Sequence, residues 1–284
     1  MAREKASRTA YKVALNIMAL GSKPEMDTIL PTGILEATEK LLFYSGAVGP
    51  KTLKWSKSNR AVSVYYAFDW ILPGQFEAFA HRKAFCERQV RDGIDRGAVQ
   101  ILILGAGYDT LGWRLAPEFP GVTFFEIDHP ATHRLKAKGI EAMGCRENLI
   151  LIGEDLGRRK LLDVLDSVVL WEKTSQALII AEGLLMYLTP GAVLNLFSQC
   201  ARIVGDGSRM AFSYIPSGAD GRPDAGPWTG LVLWLQKVVG EPWLWSIRPE
   251  ELGPFLEGAG WKDRPAHSGK MRKHGVEFYG VAAR

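Results

Sequence analysis

An α/β fold, built on a mostly parallel sheet with helices on both faces and an antiparallel edge, is what this sequence predicts, and three observations predict it. From Val99 onward five short aliphatic runs alternate with longer amphipathic segments, the pattern of buried parallel strands joined by crossover helices. The first run, "VQILIL" (99–104), leads straight into Gly105-Ala106-Gly107, a turn that lets backbone and ligand approach closely. The tail "VEFYGVAA" (276–283) alternates as one more strand, with "WKDRPAH" (261–267) as a hairpin partner weakened by Pro265.

Taken in chain order, residues 1–96 read as a helical N-terminal cap punctuated by Pro24, Pro31, Pro50 and Pro73. Residues 97–284 read as the core. Its further strands are "VTFFEI" (122–127), "NLILI" (148–152), "ALIIA" (177–181) and "RMAFSY" (209–214), with helices expected near 109–116, 130–144, 158–167 and 190–204. Thr189-Pro190 marks the last of these, an N-cap followed by proline at the first helical position. Residues 215–248 open on a Gly/Pro-rich loop and carry an apolar helix candidate around 229–239, the pattern of an inserted lid. No internal repeat interrupts this plan.

Composition narrows the function classes. At 284 residues, 47% hydrophobic and 23% charged, the chain is apolar enough to fold around one principal core. The net charge of +4 suits an anionic small molecule but forms no concentrated basic stripe, which argues against a nucleic-acid partner. Cys86, Cys145 and Cys200 are far apart and make no metal knuckle or disulfide framework. With no signal-like or membrane-length apolar run, the sequence reads as cytoplasmic and outside the membrane.

What the glycine turn holds is the central question. A dinucleotide fingerprint needs a third glycine where Thr110 stands, so the turn is off-register for a nicotinamide cofactor, and taken alone it could be an ordinary strand-to-helix turn. The second strand ends at Asp128, 23 residues after Gly105, where a carboxylate can accept from both ribose hydroxyls of an adenosine or cap the helix starting at Pro130. Glu126 lies two residues back on the same strand face. The third run ends near Glu154 and Asp155, where a carboxylate can meet an adenine amino group and the Leu156 backbone the ring edge; the fourth run ends at Glu182. Ligands of open α/β sheets bind at these carboxyl ends, and acidic surroundings without a pyrophosphate-holding cation suit a sulfonium better than a dinucleotide.

On "LGAGYDT" followed by "WRL", on "FEIDHP", on "EDL" and on "AEGLLMYL", in that order, the chain resembles the leucine carboxyl methyltransferase family, class I S-adenosylmethionine-dependent O-methyltransferases with a Rossmann-like sheet. The resemblance runs from about Thr9 to Arg284. It implies S-adenosyl-L-methionine as cofactor and S-adenosyl-L-homocysteine as product. By matching position it implies that Arg82, in "AHRKAFCERQ", pairs with the methionyl carboxylate, Gly105 and Gly107 pass beneath the methionyl and ribose part, and Asp128 holds the ribose. It further implies that Asp155 and Leu156 contact adenine and that Glu182 faces the methionyl amino group. The first helix should add a contact, with Arg8, Thr9 and Lys12 as candidates.

Methyl transfer from a sulfonium is an in-line displacement on an activated carbon, so alignment and water exclusion are the enzyme's main work. An acceptor carboxylate is ionised at neutral pH and needs no base. The family resemblance implies either a small-molecule acid or phenol, including polyketide-type carboxyl groups, or a protein C-terminal carboxylate. Tyr187, Tyr214, Arg222 and Arg248 are the candidates for orienting the substrate, and Trp228, Trp234, Trp243 and Trp245 for an apolar wall. Three rivals deserve a test. One is a nicotinamide-dependent oxidoreductase, disfavoured by Thr110. Another is an RNA methyltransferase using the basic stretch 262–274, which lacks aromatic interleaving. The third is a metal enzyme using His129 and His133, which lack the glutamate of H-E-x-x-H and a third ligand.

Overall fold

The computed structural model describes residues 7–264 and 275–284. Among the described residues, five α-helices precede the sheet: α1 (Arg8–Leu20), α2 (Ile34–Ser45), α3 (Pro50–Ser56), α4 (Asn59–Ala67) and α5 (Gln75–Asp95). Two of the prolines flagged in the sequence start helical turns, Pro24 a short 3-10 helix over Pro24–Met26 and Pro50 helix α3. The Ser7 side chain caps α1 by accepting from the Ala10 N–H.

The sheet then forms from β1 (Gln100–Leu104), β2 (Thr123–Asp128), β3 (Leu149–Gly153), β4 (Ala177–Ala181), β5 (Arg209–Tyr214), β6 (Lys262–Arg264) and β7 (Phe278–Ala283). Their spatial order is β3-β2-β1-β4-β5-β7-β6. The first five pair in parallel, and β7 runs antiparallel to both β5 and β6. The expected hairpin partner is therefore present as β6, while 265–267 lie outside the described residues. Between the strands run α6 (Leu111–Leu115), α7 (Pro130–Met143), α8 (Leu161–Asp166), α9 (Pro190–Arg202), α10 (Thr229–Val239) and α11 (Pro249–Gly258). The last of these has no counterpart in the sequence reading.

Strand alternation explains the two layers of core. Leu102 and Leu104 of β1, with Phe125 and Ile127 of β2, turn to one face, where they meet Val164, Phe197, Cys200 and Leu256 of α8, α9 and α11. Ile101 and Ile103, with Phe124, turn to the other and meet Leu15, Leu41, Phe85 and Ile140 of α1, α2, α5 and α7. A third apolar cluster, including Ile17, Leu20, Ile34, Ala61 and Phe76, joins the N-terminal helices to one another. The strand order reverses between β1 and β4, which opens a crevice at their carboxyl ends.

Candidate ligand site

A cavity of about 260 Å³ occupies that crevice. Its floor is the turn after β1. Gly105 and Gly107 both have positive φ, 65° and 49°, values that residues with a side chain rarely adopt. A Cβ on Gly107 would also lie 3.1 Å from the Ala10 Cβ. The turn is fastened to β2: Gly105 N–H donates to the Ile127 carbonyl at 2.8 Å, and Gly107 N–H to Asp128 Oδ2 at 2.6 Å.

Asp128 sits at the end of β2 and lines the cavity. Its Oδ1 accepts from the His129 N–H at 2.6 Å, so His129, whose Nδ1 accepts from Ala131 N–H, is the N-cap of α7 and Asp128 is not. Burial pushes the Asp128 carboxyl up, opposed by the Gly107 N–H, Lys136 and the His129 N–H. Each oxygen keeps a lone pair beyond its backbone bond, so both can accept from a diol.

Helix α5 delivers two cations in succession. Arg82 donates from Nε to Glu182 Oε1 at 2.8 Å and from Nη1 to Glu277, and Gly183 lies against it, so that a Cβ there would come within 3.2 Å of Nη1. Lys83 Nζ lies 3.0 Å from Asp109 and 2.9 Å from Glu182 Oε1. Burial lowers the basicity of both cations, but the facing carboxylates outweigh it and raise it. Burial likewise pushes Asp109 up, yet Lys83, Lys136 and Arg114 bring it down to about 2.

Glu182 therefore engages both cations through one oxygen. Its Oε2 is buried with no hydrogen-bond partner among the described residues, and so is the Tyr108 hydroxyl; both residues line the cavity. Across the lining, Arg82 and Lys83 stand against Asp109, Asp128, Glu182 and Glu241. Carboxylates outnumber cations, an environment that favours a cationic ligand.

Of the residues expected from sequence, Arg82, Gly105, Gly107, Asp128, Glu182, Tyr187 and Thr9 converge on the cavity. Asp155 and Leu156 are not in its lining: Asp155 lies 3.8 Å from the Nε2 of His129, which is, and Leu156 packs against the core. Tyr214 is 2% exposed and its ring lies against Phe212 and Phe278, too deep in the core to orient a substrate. Arg222 and Arg248 lie outside the cavity lining, exposed and paired with Asp220 and Glu251. Lys12 is exposed, and the Arg8 side chain lies outside the described residues. Glu126 turns to Lys136 rather than to the cavity. None of the four lid tryptophans lines the cavity; Trp245 is buried in the core, whereas Trp228 and Trp234 are exposed.

Sequence reasoning passed over Lys83, Tyr108, Asp109, Glu241 and Glu277. Lys83, Tyr108 and Asp109 adjoin residues already singled out, and a signal existed in "YD" directly after the glycine turn. Glu277 and Glu241 come from far along the chain and could be found only once the fold was known.

The sequence model of leucine carboxyl methyltransferases matches residues 49–201. A protein of Mycobacterium marinum bearing the name of an S-adenosyl-L-methionine-dependent methyltransferase is 31% identical over 151 residues, 52% of this chain and 47% of its own length. Another so named, from Mycobacterium sp. (strain KMS), is 30% identical over 146 residues, 51% of this chain and 46% of its own. The chain thus spans about half the length of the curated relatives it matches. Among solved structures, one from Thermobifida fusca described as a methyltransferase aligns over 92% of this chain and 97% of its own, at 18% identity and a TM-score of 0.60. One from Nostoc punctiforme described as an O-methyltransferase aligns over 75% and 61%, at 11% identity and a TM-score of 0.52. These two likenesses establish the Rossmann-like methyltransferase fold. Among the described residues, no helix is long and apolar enough to cross a membrane.

Proposed function

The chain belongs to the leucine carboxyl methyltransferase family, and from that premise we propose that it transfers the methyl group of S-adenosylmethionine to an oxygen of a small acid, a carboxylate of an aromatic or polyketide-type compound. The observation that carries the proposal is the buried, unpartnered Oε2 of Glu182. An acceptor with no donor costs stability in a closed fold, and here it belongs to a cavity in which carboxylates outnumber cations. A ligand ammonium supplies the missing donor, and a neighbouring sulfonium is welcome in the same field.

The residues present fit that cofactor. Arg82 uses Nε and Nη1 on Glu182 and Glu277, which leaves Nη2 for the methionyl carboxylate. Gly105 and Gly107 let the chain pass under the ligand without side chains, Asp128 accepts from the ribose hydroxyls, and Glu182 accepts from the amino group. Asp155 and Leu156, beyond His129, are assigned to the adenine end. Residues 1–96 as a cap and 215–248 as a lid are proposed to exclude water.

The bound cofactor supplies a methyl group already activated by its sulfonium. This chain's residues have to align an acceptor oxygen and keep it dry. Burial, with Glu277 and Glu241 next in effect, pushes the Tyr187 hydroxyl up to about 12. Tyr187 is therefore protonated at neutral pH and acts as a donor that orients the acceptor rather than as a base. A carboxylate needs no base, which is why it is preferred here over a phenol.

The cofactor reading is tested by thermal shift with S-adenosylhomocysteine and with NADH. Stabilisation by the former, of about 2.7 kcal/mol at a hundredfold excess over its Kd, is expected. Stabilisation by NADH alone would return the chain to the oxidoreductase reading.

A further inference from the structure

Behind the glycine turn, outside the cavity lining, two opposite charges are almost wholly buried. Lys136 of α7 and Glu126 of β2 are each 3% exposed. Lys136 Nζ lies 2.5 Å from Glu126 Oε2 and donates to the Ala106 carbonyl, in the middle of the Gly105-Ala106-Gly107 turn, at 3.4 Å. Neither Glu126 oxygen has a directed hydrogen bond among the described residues.

Such a pair is a poor device for stability, because desolvating two ions offsets most of their attraction, and well-packed apolar residues serve as well or better. Its position is more informative than its energy. One α7 side chain reaches both the carbonyl at the centre of the floor and the strand that ends, two residues after Glu126, in Asp128. We infer that Lys136 is a positioning residue for the ribose of the cofactor: seated on Glu126, its ammonium anchors the glycine turn through Ala106 and thereby fixes the Gly107 N–H that holds Asp128.

The inference rests on the cofactor reading above. The groups that bear on Asp128 are consistent with it. Burial works against the ionised carboxyl, and the Gly107 and His129 N–H groups, Lys136 and His129 favour it. Lys136 is the lysine among these, whereas Lys83 faces Asp109 and Glu182. Tyr108, on the turn itself, is held protonated, pushed up to about 12 by burial and by Asp128. Lys136 also acts on Asp109, so its charge serves both acids that flank the turn.

Removing Lys136 alone would strand Glu126, so the decisive variant is Glu126→Met with Lys136→Met, which removes both charges and is expected to fold. Binding of S-adenosylhomocysteine and of its 2′-deoxy counterpart is measured by calorimetry on wild type and double variant, alongside a thermal melt. In wild type the missing hydroxyl costs about tenfold in affinity. In the double variant S-adenosylhomocysteine binds about tenfold more weakly, and the two ligands differ by less than about threefold, because mutation and hydroxyl report one interaction. Equal weakening of both ligands, or an unchanged preference for the hydroxyl, overturns the role of Lys136 and leaves the cofactor reading standing. Failure of wild type to bind S-adenosylhomocysteine overturns both.

Discussion

Lys83 and Asp109 bury opposite charges 3.0 Å apart, each side chain about one-tenth exposed, and so make a direct test of how the site is held. Lys83→Met leaves Asp109 buried without its main counter-charge, which should cost about 3–5 kcal/mol, read as a lower urea midpoint at pH 7. The same pairing sets an acid dependence. The folded-state carboxyl titrates at about 2 against about 3.9 when unfolded, so the unfolded chain binds the proton first as pH falls. The contribution, about 2–3 kcal/mol, is complete above about pH 5 and lost as pH falls through about 2. In Lys83→Met this part of the acid transition should move to higher pH, and urea melts between pH 7 and 3 check it. Unchanged melts would mean that Arg114 and Lys136 alone hold Asp109 down.

At the scale of elements, the sequence reading placed every strand of the parallel core to within a residue or so, because fully buried strands leave continuous aliphatic runs that nothing else in the chain imitates. Helix α9 was legible for a local reason: Thr189 accepts from the Ala192 N–H at 3.3 Å and Pro190 occupies the first helical position. Thr189→Ala should therefore cost about 1 kcal/mol and lower the melting temperature by roughly 2–4 °C, without altering affinity for S-adenosylhomocysteine; a differential scan with and without ligand decides both. Helix α11 escaped although Pro249 opens it and Glu250 and Glu251 fill its first turn, a good start signal. Its internal Pro254 argues against a helix, and packing of Leu252 and Leu256 into the core overrides that local objection. The candidate site divides along the same line. Residues at strand ends, Gly105, Gly107, Asp128 and Glu182, were legible because the topology sends every carboxyl end to one crevice. Tyr214 also lies at a strand end, yet its alternation turns it into the core. Glu277 and Glu241 reach the site only through tertiary folding, which no local pattern encodes.

For the molecule as a whole, the chemistry of the acceptor offers a discriminating readout. The cavity is about 260 Å³, bounded by α1, α5, the turn after β1 and Glu241. Outside its lining, Trp70 and Trp228 meet edge to face at 4.9 Å, both substantially exposed, and the exposed Trp234 lies on α10, which starts beside Trp228. An exposed aromatic pair of that kind is a surface on which an aromatic acceptor can stack, and the acceptor proposed above is tested directly. Incubation with methyl-labelled S-adenosylmethionine and a panel of aromatic acids, phenols and short peptides with free C-termini should label the acids. Carboxyl methylation forms an ester, which dilute alkali cleaves to labelled, volatile methanol, whereas a methylated phenol is an ether and keeps its label. Volatile label from the aromatic acids supports the proposed acceptor, volatile label from the peptides alone moves the assignment to protein C-termini, and alkali-stable label moves it to hydroxyls. The last outcome would also require a base in this cavity. Tyr187, held near 12, cannot supply one at neutral pH, so activity would then rise with pH through the acceptor phenol's own ionisation.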